Sequence, residues 1–347
     1  MNTSLISIKF MSLSICIPTY NRFNELKNCL NSIYFAYSKF NKIKLEICIS
    51  DNSYKSTNLK TVRSYRKKFK NKVKINYQKF KKNKGVSLNY LKCISMANSE
   101  FVWTIGDDDL VVPYAFKIIE KLLKKKNIDY FFLNSYHLKN DNVKDDFKLK
   151  NLSKSLEPFS KLKKNMESNF FDLIDPKITY DFLMAIFFSM FRKSSWDKNI
   201  EILDKKKIKD KKWLSNFENS CFNIIVFTHA FKNSRVYFQA KPLSINTSSR
   251  RDWKNIYYFL EIVRFPEMLE YYRKNGLNLW KYLYCKNFAL RNFANYHLKI
   301  FLNRSNGSGW EYVNVFSNIV KNLIYPNAFL SIIYYLIRKI NKSVKTN

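Results

Sequence analysis

The sequence predicts an α/β fold: a mostly parallel, twisted sheet flanked by helices, followed by a helical C-terminal extension. Three observations carry this. Short apolar runs of strand character alternate with helical patterns at a spacing of about 30 residues. Each run ends in a polar motif, and open α/β sheets bind ligands along the edge formed by those strand ends. A chain of 347 residues, 46% of them apolar, has room for one α/β domain of about 230 residues and a smaller helical part. We expect a first unit over residues 1–240 and a helical, aromatic and basic unit over 241–347.

The first strand is Leu13-Ser14-Ile15-Cys16-Ile17, stopped by Pro18. Asn24 is placed to cap the helix that follows, whose apolar face carries Leu26, Leu30 and Ile33. A second strand over 45–50 ends in Asp51-Asn52-Ser53, and a third over 73–77 leads to Asn83-Lys84-Gly85. A helix over about 87–97 separates this loop from a strand that ends in Gly106-Asp107-Asp108-Asp109. Residues 129–135 read as a further strand. Residues 138–170 are rich in Lys, Asn, Asp and Ser and read as a long loop near the active site. Residues 181–191 are apolar, and 197–212 are polar and Lys-rich. A helix is expected over 213–231 and a short strand over 235–239, before Lys241-Pro242. From Arg250-Arg251-Asp252-Trp253 onward the pattern is helical and aromatic.

With 62 Lys+Arg against 27 Asp+Glu, the formal charge is +35. Such a chain favours anionic partners: nucleoside diphosphates, anionic lipid headgroups or nucleic acid. No zinc pattern, helix-turn-helix signal or RNA-binding aromatic motif occurs, so nucleic acid is not an expected partner. The six cysteines form no CxxC pair, and Cys16 and Cys48 fall inside core strands, as buried reduced thiols. We expect no secretory signal at the start and find no run of 18 apolar residues. Residues 329–337 are apolar and are followed by Arg338, Lys339, Lys342 and Lys345. They are too few to span a bilayer. An amphipathic anchor on an anionic membrane surface and a helix packed on the core both fit them.

The triplet Asp107-Asp108-Asp109 is acid concentrated in a basic chain. Three adjacent carboxylates repel one another unless a cation offsets them. A hard divalent cation, Mn2+ or Mg2+, takes oxygen ligands of this kind and shares them with substrate phosphates. A solvated acidic turn is the alternative.

Four motifs in register settle the context. Ile17-Pro18-Thr19-Tyr20-Asn21-Arg22, Ile49-Ser50-Asp51-Asn52, Asn83-Lys84-Gly85 and Gly106-Asp107-Asp108-Asp109 resemble, in order and spacing, the family 2 glycosyltransferases of GT-A fold. The resemblance covers roughly residues 12–120 and weakens past about 125. Trp103 before the triplet and the segment 188–196 are similar to the abequosyltransferase-like branch of bacterial surface-polysaccharide enzymes.

The resemblance implies an inverting, metal-dependent transfer of a sugar from a nucleotide-diphosphate donor to a hydroxyl of a growing cell-surface glycan. That glycan would be of O-antigen, lipooligosaccharide or capsule type, free or lipid-linked. Pro18, Thr19, Tyr20 and Arg22 would contact the nucleotide, and Asp51 would accept a hydrogen bond from the base. Lys84, Gly85 and Asn89 would line the donor pocket. Asp109 would contact the metal, Asp107 the ribose and a metal-bound water, and Asp108 either one. Family members often supply the catalytic base from an ED pair, which is missing here. Glu218 is the favoured base, with Asp210 and Asp204 as rivals, and His229 reads as a helix histidine satisfied by a neighbour. Arg250 and Arg251 would clamp the diphosphate. The expected location is cytoplasmic, peripheral on the inner face of the membrane. Two rivals remain. A sugar nucleotidyltransferase is disfavoured, because no glycine-rich phosphate loop follows the first strand. The other is an inactive, basic membrane-associated scaffold of the same fold.

Overall fold

The computed structural model describes residues 11–54, 58–70, 72–138, 156–212, 214–247 and 256–344. Its first part follows the expected alternation: β1 (Ser12–Thr19), α1 (Phe23–Lys39), β2 (Lys44–Asp51), α2 (Asn58–Lys68), β3 (Lys74–Lys79), α3 (Val86–Ser95) and β4 (Phe101–Thr104). The strands lie in the order β3-β2-β1-β4, all parallel. β1 is apolar almost throughout because both of its faces are covered. Leu13, Ile15 and Ile17 enter one core with α1, α2 and α4 (Ala115–Leu123), while Cys16 enters the other with α3.

Pro18 does not stop β1; it sits inside the strand, opposite Ser50 of β2. The Cys16 carbonyl accepts from the Ile105 N–H on the β4 side, so the Pro18 nitrogen, two residues on, faces the same way. β4 has already ended at Thr104 there. No ladder donor is required, and proline is tolerated. Nor does Asn24 cap α1: it lies within the helix, and Arg22 holds the N-cap position without a side-chain capping bond.

After β4 come β5 (Leu110–Val111), α4, β6 (Tyr130–Leu138), β7 (Leu156–Pro158), β8 (Met166–Asn169) and β9 (Ser189–Arg192). α5 (Lys193–Asn199), α6 (Lys205–Ile208), α7 (Phe217–Ser220), α8 (Phe222–Phe231) and β10 (Arg235–Asn246) follow. The sheet continues β4-β9-β6-β10-β5, with β7 on β6 and β8 on β10. β9 is antiparallel to both neighbours, and β6 and β10 are parallel. The segment expected as a long loop therefore carries two short strands, each held by hydrogen bonds to an existing strand. The expected helix over 213–231 is broken at Cys221, and Trp213 lies outside the described residues.

β10 runs well past Gln239. Its register with β6 shifts between Gln239 and Ser244, and Pro242 sits in that irregularity, where no ladder donor is lost. The expected unit boundary at 240/241 thus falls inside a strand.

α9 (Tyr257–Phe259) passes through a π turn, Leu260–Arg264, into α10 (Phe265–Lys274). α11 (Leu279–Ala289), α12 (Phe293–Leu302), α13 (Val315–Asn322) and α14 (Pro326–Val344) complete the chain. These helices share one continuous core with the sheet face that carries Cys16, Cys48 and Val102. All six cysteines are buried and unpaired. Among the described residues, no helix is long and apolar enough to cross a membrane.

Candidate functional site

The triplet forms the turn between β4 and β5. Asp107 Oδ2 accepts from the Thr19 hydroxyl at 2.7 Å. Arg22 Nη1 donates to Asp107 Oδ1 at 3.2 Å and to Asp108 Oδ2 at 2.9 Å. Asp109 has other partners: its Oδ2 accepts from the Gly106 N–H at 2.7 Å, and its Oδ1 from Asn246 Nδ2 at 2.9 Å. The Thr247 hydroxyl donates to the Asp108 carbonyl at 2.7 Å. A Cβ on Gly106 would meet Asp108 Oδ1 at 2.8 Å and Asp109 Oδ2 at 2.9 Å, so a side chain there would displace the two carboxylates. Each of the two carboxylates, Asp107 and Asp109, thus has its own set of donors, and both line the same cavity.

Burial, and then the Asp108 carboxylate, push Asp107 up to about 7 and Asp109 up to about 8. Burial opposes the Arg22 charge, but Asp107 and Asp108 outweigh it and the guanidinium is held more firmly protonated. The field reaches further. The Cys29 thiol and the Tyr90 hydroxyl are raised first by burial and then by all three aspartates. A locus of negative potential thus sits inside a strongly positive chain. Hard oxygen donors under such a field fit Mg2+ or Mn2+. Among the described residues, no group of three or more His, Cys, Asp or Glu could hold a metal unaided. The set fits a cation whose remaining ligands come from substrate phosphates.

The loops after β1, β2 and β3 build the adjoining wall. Tyr20 packs edge-on against Tyr54, with ring centroids 5.8 Å apart. Asn21 adopts φ 54, a region asparagine tolerates, and its N–H donates to the Ser53 hydroxyl at 2.7 Å. Asn52 pins the third loop: its Nδ2 donates to Asn83 Oδ1 at 2.7 Å and to the Gly85 carbonyl at 3.1 Å, and its Oδ1 accepts from the Lys84 N–H at 2.9 Å. Gly85, at φ 90, turns the chain into α3. Asn89 donates to the Thr19 carbonyl at 3.1 Å, and its own Oδ1 is buried with no partner.

Asp51 lies beneath this wall. It is fully buried, and it accepts from the Ser53 N–H at 2.8 Å, Asn58 Nδ2 at 3.0 Å and the Tyr77 hydroxyl at 2.7 Å. Lys84 lines a separate shallow hollow beside Trp196.

A third wall comes from residues that the sequence did not single out. Phe159 and Tyr180 stack at 4.7 Å, with His137 against Phe159 at 5.3 Å. Asp181 follows, buried. Its carboxylate accepts from the Thr179 hydroxyl, from the Ala185 N–H at 2.9 Å and from the Leu183 N–H at 3.3 Å. Burial raises its affinity for a proton. Phe182 (φ 53) and Leu183 (φ 71) are left-handed residues with large side chains, and Asp181 braces the turn they make. Ile256, Tyr257 and Leu260 close the top. Together the walls surround a cavity of about 680 Å³.

Of the residues expected at the site, Pro18, Thr19, Tyr20, Arg22, Gly85, Asn89 and Asp107–Asp109 line this cavity. Asp51, Lys84, Asp210 and Glu218 do not. Glu218, in the first turn of α7, is directed toward Lys207 at 3.7 Å. Asp210 accepts from the Ser215 hydroxyl at 2.5 Å and the Lys212 N–H at 2.9 Å, in an exposed turn. Asp204 caps α6. His229 pairs with the Tyr271 hydroxyl at 2.9 Å, as a helix histidine satisfied by a neighbour. Arg250 and Arg251 lie outside the described residues. Among the described residues, the carboxylates on the cavity wall are the triplet and Asp181.

Comparison with known proteins bears on the family and the fold. The abequosyltransferase RfbV of Salmonella typhimurium is 35% identical over 113 residues, 33% of this chain and 33% of that protein. An uncharacterized glycosyltransferase of Mycoplasma genitalium, MG060, is 25% identical over 126 residues, 36% of this chain and 42% of that protein. The matches therefore span less than half the length of these curated relatives. Among solved structures, S. aureus TarS 1-349 superimposes with a TM-score of 0.54 at 15% identity, covering 90% of this chain and 79% of that one. The mannosyltransferase PcManGT of Pyrobaculum calidifontis, in complex with GDP-Man and Mn2+, gives a TM-score of 0.50 at 11% identity, covering 97% and 88%. At such identities the likeness is one of fold, and that fold is the GT-A type. The model of glycosyl transferase family 2 matches residues 14–198, more than half of the sequence, and this chain belongs to that family.

Proposed function

We propose that this chain transfers a sugar from a nucleoside-diphosphate donor to a hydroxyl of a growing cell-surface glycan, inverting the anomeric carbon. The observation that carries the reading is the buried Asp107–Asp109 turn on the wall of the cavity, beside the edge formed by β1, β2 and β3. Two proteins of similar fold give it support: TarS 1-349 was solved in complex with UDP-GlcNAc, and PcManGT with GDP-Man and Mn2+.

Tyr20 presents a ring to the base, and Asn89 lines the pocket beside it. Asp51 orders the slot from below by fixing Tyr77 and Asn58. Arg22 holds Asp107 and Asp108 together against their mutual repulsion. Mn2+ or Mg2+, held by Asp109 and Asp107, would offset the charge that grows on the departing diphosphate.

Inversion in one displacement needs a base for the acceptor proton as the new bond to the anomeric carbon forms and the bond to the diphosphate breaks. Asp181 suits that role, being a carboxylate on the cavity wall whose proton affinity burial has raised. The acceptor hydroxyl would pass its proton to Asp181. Glu218 and Asp210 are the rival bases, each requiring a side chain to swing from its present partner. A lipid-linked acceptor would be met at the inner face of the cytoplasmic membrane.

The test is transfer and donor hydrolysis with and without manganese, on wild type and Asp109→Ala. Wild type should turn over only with the metal, and Asp109→Ala not at all. No turnover of any nucleotide sugar by wild type would favour an inactive scaffold. A product that retains the donor's anomeric configuration, read by NMR, would refute inversion.

A further inference from the structure

The last two helices carry most of their large apolar side chains outward. α14 turns small residues to the protein: Ala328 is 0% exposed and Ser331 6%. Ser331 Oγ accepts from the Ala294 N–H at 3.0 Å, which seats α14 on α12. The large residues lie on the other side, with Phe329, Ile333 and Ile337 at i, i+4 and i+8 and all exposed, flanked by Leu330, Tyr334 and Leu336. α13 repeats the pattern. Phe316 and Val320 fall at i and i+4, and Ile324 lies in the turn directly after the helix, with Phe316 79% and Ile324 80% exposed. A helix packed only on its own protein buries its large apolar residues. Two successive rows facing water mark a surface that something else covers.

The charge of this part of the chain identifies the cover. Residues 276–347 contain ten Lys and Arg, of which Lys286 pairs with Glu270 and Arg291 with Glu261, and a single acidic residue, Glu311. Two copies of so basic a surface would repel each other, whereas an anionic bilayer attracts it. Neither helix is long and apolar enough to cross the bilayer. We infer that α13 and α14 lie in the headgroup region of an anionic membrane. Phe316, Val320, Ile324, Phe329, Ile333 and Ile337 enter the acyl boundary, and Lys321 meets the headgroups. The inference goes beyond the transfer reading and does not depend on it, since neither helix lines the cavity.

The experiment is flotation of the full chain with vesicles of phosphatidylcholine alone and of phosphatidylcholine mixed with phosphatidylglycerol. Wild type should float with the mixed vesicles only, and less so at high salt. A variant with Phe316→Ser, Ile324→Ser, Phe329→Ser and Ile333→Ser should lose more than about tenfold in vesicle affinity, because binding scales with apolar area inserted. Its thermal midpoint and nucleotide binding, measured on the same preparations, should be unchanged, so that loss of docking and loss of the donor site are separate results. Equal flotation of variant and wild type would overturn the inference, leaving charge alone as the attraction. So would a wild type that ignores the mixed vesicles and forms a dimer that the variant breaks into monomers, since a second copy would then be the cover.

Discussion

Asn246, at the end of β10, donates to Asp109 Oδ1 at 2.9 Å across 137 residues of sequence. The bond is possible because β5, directly after the triplet, pairs with β10, Leu110 opposite Ile245. Together with the Gly106 N–H it gives each Asp109 oxygen a donor, and so fixes the direction of the carboxylate assigned to the metal.

Asn246→Ala should therefore weaken the metal more than the nucleotide. Groups that orient a metal ligand are worth about 10–100-fold in affinity. The apparent manganese constant should rise by about that factor, while nucleotide binding without metal stays close to wild type. Calorimetry with each ligand separates the two. An unchanged manganese constant would remove Asn246 from the site.

The triplet should make stability fall with pH when no divalent cation is present. Asp107 and Asp109 hold protons up to about 7 and about 8 in the folded chain, against 3.8 for an unperturbed aspartate. The folded state thus binds more protons than the unfolded state across that window, and stability is lost as pH rises through it. The thermal midpoint should drop between about pH 5 and about pH 8, and Asp107→Asn with Asp109→Asn should flatten the slope. Manganese should restore more at the upper end than at the lower. A profile identical in wild type and the double variant would show that these carboxylates ionise freely.

Asp181→Asn and Glu218→Gln distinguish the proposed base from its rival. Removing a base costs roughly 10²–10⁴-fold in transfer. Asp181→Asn should show that loss with donor binding preserved, and Glu218→Gln should stay near wild type. Rates measured against pH add a second readout, since the base's acid limb should vanish in the variant that lacks it. The opposite pattern would move the base to α7, and loss in Asp210→Asn alone would move it to the turn before α7.

Asp51→Ala should affect folding as well as binding. It would leave the Tyr77 hydroxyl and Asn58 without their acceptor in a buried place, at a cost on the order of 1–3 kcal/mol. Urea unfolding should report that loss. The donor constant should rise with the manganese requirement unchanged, because Asp51 holds Tyr77 and Asn58 and makes no bond to the triplet. Unchanged stability and unchanged donor affinity would take it out of the site.

The motifs at the ends of β1, β2, β3 and β4 were legible because parallel strands covered on both faces are continuous apolar runs, and the polar residues that break them mark the sheet edge. Pro18 and Pro242 misled for one reason: proline was read as a stop, whereas each sits where the ladder asks for no donor. β7 and β8 carry no apolar run, since they are short strands held by neighbours. Asn246 and Asp181 had no local signature at all. One becomes a site residue through strand pairing, the other through a left-handed turn at Phe182 and Leu183, and neither is a property of nearby sequence. Asn52 stood in a quoted motif, but its partners Asn83 and Gly85 are about 30 residues away.

The pairing of β5 with β10 also sets an order of events during synthesis. A ribosome adding about 5–20 residues per second leaves roughly 7–27 s between the emergence of the triplet and that of its distant partner. In that interval β1 to β4 can already form their sheet, and Thr19 and Arg22 are present to receive Asp107. Leu110 and Val111 have no strand to join, and Asp109 lacks Asn246. The turn that defines the chemistry is thus among the last parts of the sheet to be fixed. A nascent chain arrested short of β10 would have the sheet edge of β1 to β4 without a settled Asp109 carboxylate.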